Sequence, residues 1–343
     1  MQCELTVRDD CPPGFLEVDA RQLYQLLPGP TLMHLPGRRQ EPLFVSILLH
    51  GNETTGLLAV QALLRRYRDR ELPRALSLFV GNVAAARYGL RRLDHQPDYN
   101  RVWQAGETPE HATMKQVALE MRQRHCFASV DVHNNTGQNP RYACINRLAQ
   151  PFFHLASLFG RTVVYFIRPE GVQSAAFATF CPAVTLECGQ PGEVHGVAHS
   201  ERYIEAVLKL TTLPEHPVAH CDIDLFHTVA VVKIPRDISF GFGATATDIQ
   251  FIEDLDRLNF SELLAGTVLG HSNPDKAVRL DVRDEQGHEV NRRYFSYDHA
   301  MIRTRTAVMP SMLTLDSQVI RQDCLCYLME RLPLPEKPSR DKA

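Results

Sequence analysis

From about residue 41 onward, apolar and polar positions fall into two alternating patterns. Leu43–Leu49 is an apolar run interrupted only by Ser46, the mark of a strand buried on both faces. Over Thr55–Arg70 the pattern changes to helical spacing, with Leu57, Leu58, Gln61, Leu64 and Arg65 sorting into apolar and polar faces and Pro73 beyond the end. Leu76–Val80 is strand-like again. His111–Arg124 reads as a helix with Met114, Val117, Ala118 and Met121 on one side. Phe127–Val132, Tyr142–Ile145, Val163–Ile167 and Ala183–Leu186 read as strands, and Pro151–Phe159 and Ser200–Leu213 as helices. Strands alternating with helices predict an α/β layer structure with a largely parallel sheet.

The flanks look different. Residues 1–40, rich in proline and glycine, read as a lead-in with an edge strand near Thr31–Leu35. The character shifts at Thr211-Thr-Leu-Pro-Glu-His-Pro217. Beyond it, short β-branched runs dominate, at Thr228–Ile234, Thr267–Leu269, Val278–Val282 and Ala300–Val308, and Asp284-Glu-Gln-Gly287 is a hairpin signal. The expected organisation is a lead-in over 1–40, an α/β domain over 41–215, a smaller mostly-β domain over 216–332 and a frayed polar tail over 333–343. A length of 343 residues suits that division, at about 150 residues per domain.

Charge narrows the partners. Lys+Arg 37 against Asp+Glu 40 gives −3, which offers no electrostatic footprint for nucleic acid or an anionic membrane. No apolar stretch approaches the roughly 18 residues needed to span a bilayer, and Met1–Asp10 has no apolar core that would mark a secretory signal. Nine cysteines without a CxxC pair read as reduced thiols in a cytoplasmic protein.

Three polar groups sit where apolar strands end: His50-Gly-Asn-Glu53, Asp131-Val-His133-Asn134, and Glu187-Cys-Gly189. The carboxyl ends of strands in an open α/β sheet form the crevice where ligands bind. His, His and Glu are a ligand set for catalytic zinc with a position left open for water. His50 and Glu53 share the turn from strand to helix, where Gly51 relieves crowding. His133 arrives from a neighbouring strand, with Asp131 on the same face to orient a ligand. Glu187 remains to take a proton from the water and pass it to a leaving nitrogen. A single histidine or HxxE spacing is more often structural than metal-binding. The conjunction of ionisable groups abutting long apolar runs is what favours a metal site. Arg87, Arg91-Arg92 and Asp98-Tyr-Asn-Arg101 form a basic segment that is either a solvated loop or an anion grip.

These four motifs, His50-Gly-Asn-Glu53, Asp98-Tyr-Asn-Arg101, Asp131-Val-His133-Asn134 and Leu186-Glu-Cys-Gly189, resemble in order and spacing those of the succinylglutamate desuccinylase/aspartoacylase family, relatives of the zinc carboxypeptidases. The resemblance covers about 40–215 well and the β domain more loosely. It implies one Zn2+ held by His50, Glu53 and His133, and Glu187 as general base and acid. Arg91 matches the arginine that polarises the scissile carbonyl, with Arg92 its close competitor. Asn100 and Arg101 match the pair that binds the carboxylate of the amino-acid half, and Asn134 matches a residue lining the site. Relatives acting on acidic N-acyl amino acids carry an arginine ten residues before the catalytic glutamate. Phe177 stands there and is taken as a substrate contact favouring a less anionic acyl group. A tyrosine expected near 309–316 is missing, although Tyr294 and Tyr297 lie close by in sequence.

The resemblance therefore implies a cytoplasmic zinc hydrolase that cleaves the amide of a small N-acyl amino acid. A zinc carboxypeptidase acting on a peptide C-terminus is the alternative, and a non-catalytic binding protein on the same fold is the third. A cysteine nucleophile is disfavoured, because Cys188 should face away from the site if Glu187 faces it.

Overall fold

The computed structural model describes residues 4–335 apart from 136, 138, 245 and 277. It forms two compact units, the first built on residues up to Asn134 and on Arg141–Leu225, the second on Asn135–Pro140 and Phe226–Pro333. The second unit thus starts at Phe226 instead of 216 and takes in a short loop that the sequence pattern assigned to the first. Most of the expected tail lies outside the described residues.

The first unit contains β1 (Thr6–Arg8), β2 (Thr31–Leu35), β3 (Gly37–Ile47), α1 (Thr55–Arg66), β4 (Leu72–Val80), α2 (Val83–Ala86), α3 (Pro109–Gln123), β5 (Ala128–His133), β6 (Tyr142–Ile145), α4 (Gln150–Ser157), β7 (Thr162–Tyr165), α5 (Gln173–Phe177), β8 (Ala183–Glu187) and α6 (Val194–Lys209). Its strands lie in the order β1-β2-β4-β3-β5-β8-β6-β7. Only the β2–β4 and β8–β6 pairs are antiparallel, so the predicted mixed, largely parallel sheet is what forms. Thr31–Leu35 is not an edge strand. The short β1 pairs outside it, and Thr31 through His34 are all buried. Helix α6 begins at Val194, six residues before the expected start, because Gly196 seats its first turn on the carbonyl of Cys188, 2.5 Å from where a Cβ would stand.

The two faces of β3 and β5 differ in chemistry. One carries Val45, Ile47, Val130 and Val132, and α1 packs there so closely that a Cβ on Gly56 would stand 2.7 Å from Ile47 Cγ2. The other carries Phe44, Ser46, Ser129, Asp131 and His133, joined in register by Thr185 and Glu187 of β8. That polar face leads directly to the site.

The second unit holds β9 (Asp224–Lys233), β10 (Phe240–Phe242), β11 (Ile249–Phe251), β12 (Val268–Ser272), β13 (Asp281–Asp284), β14 (Phe295–Ser296), β15 (Met301–Thr304), β16 (Met309–Ser311) and β17 (Cys326–Arg331). Strands β13-β9-β17-β16 form an antiparallel array, and β10-β11-β12-β15-β14 a separate smaller sheet. Val232, Phe251, Val282, Ile302 and Leu328 contribute to its core. The run Ala300–Val308 does not form one strand. Its first half pairs with β12 and β14 while β16 beyond it pairs with β17, so the chain changes sheets between them. Val278 and Leu280 are buried ahead of β13 without strand pairing, so the expected strand at Val278–Val282 starts only at Asp281. At the hairpin, Gly287 N–H donates to Asp284 O over 3.0 Å with Gly287 at φ +84°, and an Arg283–Glu289 bridge closes it. Among the described residues, no helix is long and apolar enough to cross a membrane.

Candidate metal centre and active site

Strand β3 ends at Ile47, Leu48 takes a left-handed φ of +54°, and the chain turns through His50–Glu53 into α1. Glu53 N–H donates to His50 O at 3.1 Å, which folds the turn so that both side chains meet. Only glycine fits at 51, because a Cβ would stand 2.2 Å from the backbone nitrogen of Ala86. Gly51 N–H also reaches Arg91 O at 3.1 Å, fastening the arginine segment beside the turn.

His50, Glu53 and His133 are all buried, and one donor atom from each lies within 4.8 Å of the others. Both histidines present Nδ1 to the Glu53 carboxylate, His50 to Oε1 at 2.8 Å and His133 to Oε2 at 2.7 Å. Each Nε2 meets a second carboxylate: Asp98 Oδ1 lies 3.0 Å from His50 and Asp131 Oδ2 lies 2.7 Å from His133. Asp131 is fixed in turn by Ser46 Oγ, which donates to its Oδ1 at 2.6 Å. All four ring nitrogens therefore face carboxylate oxygens. If protons alone joined them, both rings would have to carry two. A divalent cation held by His50, Glu53 and His133 would replace two of those protons charge for charge and would leave each Nε2–H on its aspartate, the usual support for a metal-bound imidazole. The donor set thus fits zinc.

The electrostatics follow the same arrangement. Burial alone would raise Glu53, but the facing imidazoles of His50 and His133 outweigh it and hold the carboxyl well below the usual range. Burial opposes a charged His133, yet Asp131 and Glu53 lift it well above its ordinary value. Asp98 behaves like Glu53: His50 and Arg91 overcome burial and keep it ionised.

The arginines now separate. Arg91 Nη2 donates to Asp98 Oδ2 at 2.9 Å and its Nη1 lies 3.8 Å from Glu53 Oε1, so it stands at the centre. Arg92 is exposed and donates to Gln96 O within its own loop. Asn100 is buried, with its backbone N–H on Asp98 Oδ1 at 2.8 Å and Nδ2 3.2 Å from His133 Nε2. Arg101 follows, half-buried, donating to Asn100 O at 2.8 Å.

Glu187 ends β8, paired in register with His133 of the parallel β5, so both side chains leave the same sheet face. It is half-buried at the strand end. Cys188 is fully buried, accepts from Ser200 Oγ at 3.1 Å on the opposite side, and burial pushes its thiol up, which leaves it no role as a nucleophile. Asn134 does not offer its side chain to a ligand. It donates to Thr55 Oγ1 and Gly189 O, both at 2.8 Å, and accepts from Thr55 N–H at 3.2 Å, tying three loops together. Phe177 is not at the site: α5 turns it into the core, fully buried, with its ring stacked 4.4 Å from Phe44 and edge-on to Trp103 at 5.8 Å. Tyr294 and Tyr297 spend their hydroxyls inside the second unit, on Glu330 Oε1 and on Leu280 N–H with Asn291. The pairing of Asp98 with His50 is not evident from the sequence; an acidic residue inside a basic segment is the available signal.

Residues 41–210 match the model of the succinylglutamate desuccinylase/aspartoacylase catalytic domain. No protein of curated function matches the chain by sequence. The fold is shared with solved structures. A succinylglutamate desuccinylase/aspartoacylase from Rhodobacter sphaeroides has a TM-score of 0.59 at 15% identity, over 88% of this chain and 89% of that one. Succinylglutamate desuccinylase from Chromobacterium violaceum has a TM-score of 0.55 at 15% identity, over 87% of each chain. Murine aminoacylase 3 has a TM-score of 0.51 at 14% identity, over 86% of this chain and 96% of that one. Residues 41–210 thus form a catalytic domain of the succinylglutamate desuccinylase/aspartoacylase family.

Proposed function

We propose that this protein is a zinc-dependent hydrolase that cleaves the amide bond of an N-acyl amino acid. The convergence of His50 Nδ1 and His133 Nδ1 on the Glu53 carboxylate, each ring backed by an aspartate, carries this reading. The names of the similar structures, desuccinylase, aspartoacylase and aminoacylase, support the same reaction class. Zinc held by His50, Glu53 and His133 would supply the Lewis acidity that makes water a competent nucleophile near neutral pH.

Glu187 takes a proton from the attacking water and returns it to the leaving nitrogen, a role its half-buried place beside His133 supports. Arg91, held by Asp98, steadies the negative charge that grows on the scissile carbonyl oxygen. Arg101, with Asn100 beside it, grips the carboxylate of the amino-acid half. Asn134 positions the loops that carry Glu53 and Glu187, and Phe177 acts only through packing. The free thiols among the described cysteines fit a cytoplasmic setting.

Purified protein assayed for zinc and screened on N-succinyl, N-acetyl and neutral N-acyl amino acids beside short peptides tests this reading. Turnover of the N-acyl amino acids is expected, and turnover of peptides alone would favour a carboxypeptidase. Glu187→Gln should retain zinc while kcat falls on the order of 10²–10⁴-fold. Near-normal turnover in that variant would contradict the assignment.

A further inference from the structure

Asn100 and Arg101 are held from behind by the segment 171–173. The backbone N–H of Gln173 donates to Asn100 Oδ1 at 2.9 Å. With its oxygen engaged there, the amide of Asn100 turns Nδ2 toward the catalytic side. Two residues earlier, Gly171 accepts from Trp103 N–H at 3.0 Å. Gly171 is at φ +72°, and a Cβ there would stand 2.3 Å from the carbonyl oxygen of Arg101. The segment 171–173 therefore lies against 100–103 with no room for adjustment.

The anchor of that segment is the Gln173 side chain, fully buried, whose Nε2 donates to Ser129 Oγ at 2.7 Å. Ser129 lies on β5, four residues before His133 and on the same face. The neighbouring Ser174 accepts from Thr185 Oγ1 at 3.0 Å, two residues before Glu187 on β8. The start of α5 is thus pinned to both strands that carry the catalytic centre. Gln173 Oε1, in contrast, is buried without a hydrogen-bond partner among the described residues. Burying that oxygen unpaired costs stability, so the glutamine contributes to position more than to folding.

We infer that Gln173 is a positioning residue for substrate specificity: through Ser129 on one side and Asn100 on the other, it sets where the amino-acid carboxylate is held relative to His133 and Glu187. The inference rests on the proposed role of Asn100 and Arg101. Gln173 itself touches no substrate.

The test compares N-acetyl-L-amino acids with the matching N-acetyl-L-amino acid amides, which lack the charged carboxylate. Wild-type enzyme should prefer the acids. Gln173→Leu should lower that preference on the order of tenfold, mainly through KM for the acids, with the amides and the zinc content little changed. Ser129→Ala removes the same anchor from the strand side and should give an equal loss, with no further loss in the double variant. An unchanged preference in both single variants overturns the inference, as does an equal fall in kcat for acids and amides. A wild-type enzyme indifferent to the carboxylate would instead refute the assignment of Arg101, and the inference with it.

Discussion

Asp98 divides its two oxygens between the centre and the arginine beside it, Oδ1 on His50 and Oδ2 on Arg91. One carboxylate therefore orients both His50, a proposed metal ligand, and Arg91, which would meet the substrate. Asp98→Asn offers an amide that cannot accept at both positions, so zinc affinity should fall about 10–100-fold. Competition against a chromogenic chelator measures this, and an unchanged affinity would argue against the linkage. At this scale the sequence was informative where chemistry was local. His50 and Glu53 share one turn, and Asp131 sits two residues from His133 on the same strand. Asp98 was not legible as a partner of His50, because 48 residues of chain separate them and only folding closes the gap. Phe177 failed for the opposite reason. Its place in the motif order suggested a ligand contact, but a five-residue helix sets its ring against Phe44, where apolar burial decides its direction.

The elements that deliver the site depend on close backbone approach. The turn after β3 is packed on α2 so tightly that Gly51→Ala would drive a methyl into the Ala86 backbone. Because backbone cannot give way as a side-chain tip can, this variant should lose about 2 kcal/mol or more of stability, read from the urea midpoint. A midpoint equal to that of wild type would show that the turn can relax. Apolar runs such as Leu43–Leu49, interrupted only by Ser46, predict strands well, since a strand buried on both faces carries few polar positions. Three-residue strands such as Phe240–Phe242 and Ile249–Phe251 carry too little periodicity to be read. β2 reads as an edge in sequence because its outer neighbour, β1, is only three residues long and carries little pattern of its own.

Across the whole chain, the near balance of charge and the absence of a long apolar span narrow the partners without naming any. The order of four separated motifs was the strongest long-range signal, and the match of residues 41–210 agrees with it. The second unit has its own electrostatic device. Lys276 lies 2.6 Å from Asp248, and Ser239 donates to the same carboxylate through both N–H and Oγ. Lys276 first, and Ser239 after it, lower the Asp248 pKa from 3.8 to about 2. A depressed native value stabilises the fold at pH above 4 and is lost as pH falls from about 4 toward 2. Asp248→Asn should therefore be less stable than wild type at pH 6 and lose less than wild type over that acid range, as followed by urea unfolding at each pH. Equal acid losses in the two proteins would contradict this.

The central claim is that His50, Glu53 and His133 share one cation. Diffraction from zinc-grown crystals at the zinc absorption edge tests it most directly. The account predicts one strong anomalous peak per chain, bounded by the Nδ1 atoms of His50 and His133 and the carboxylate of Glu53. No peak there, with those side chains still joined only to one another, would contradict it.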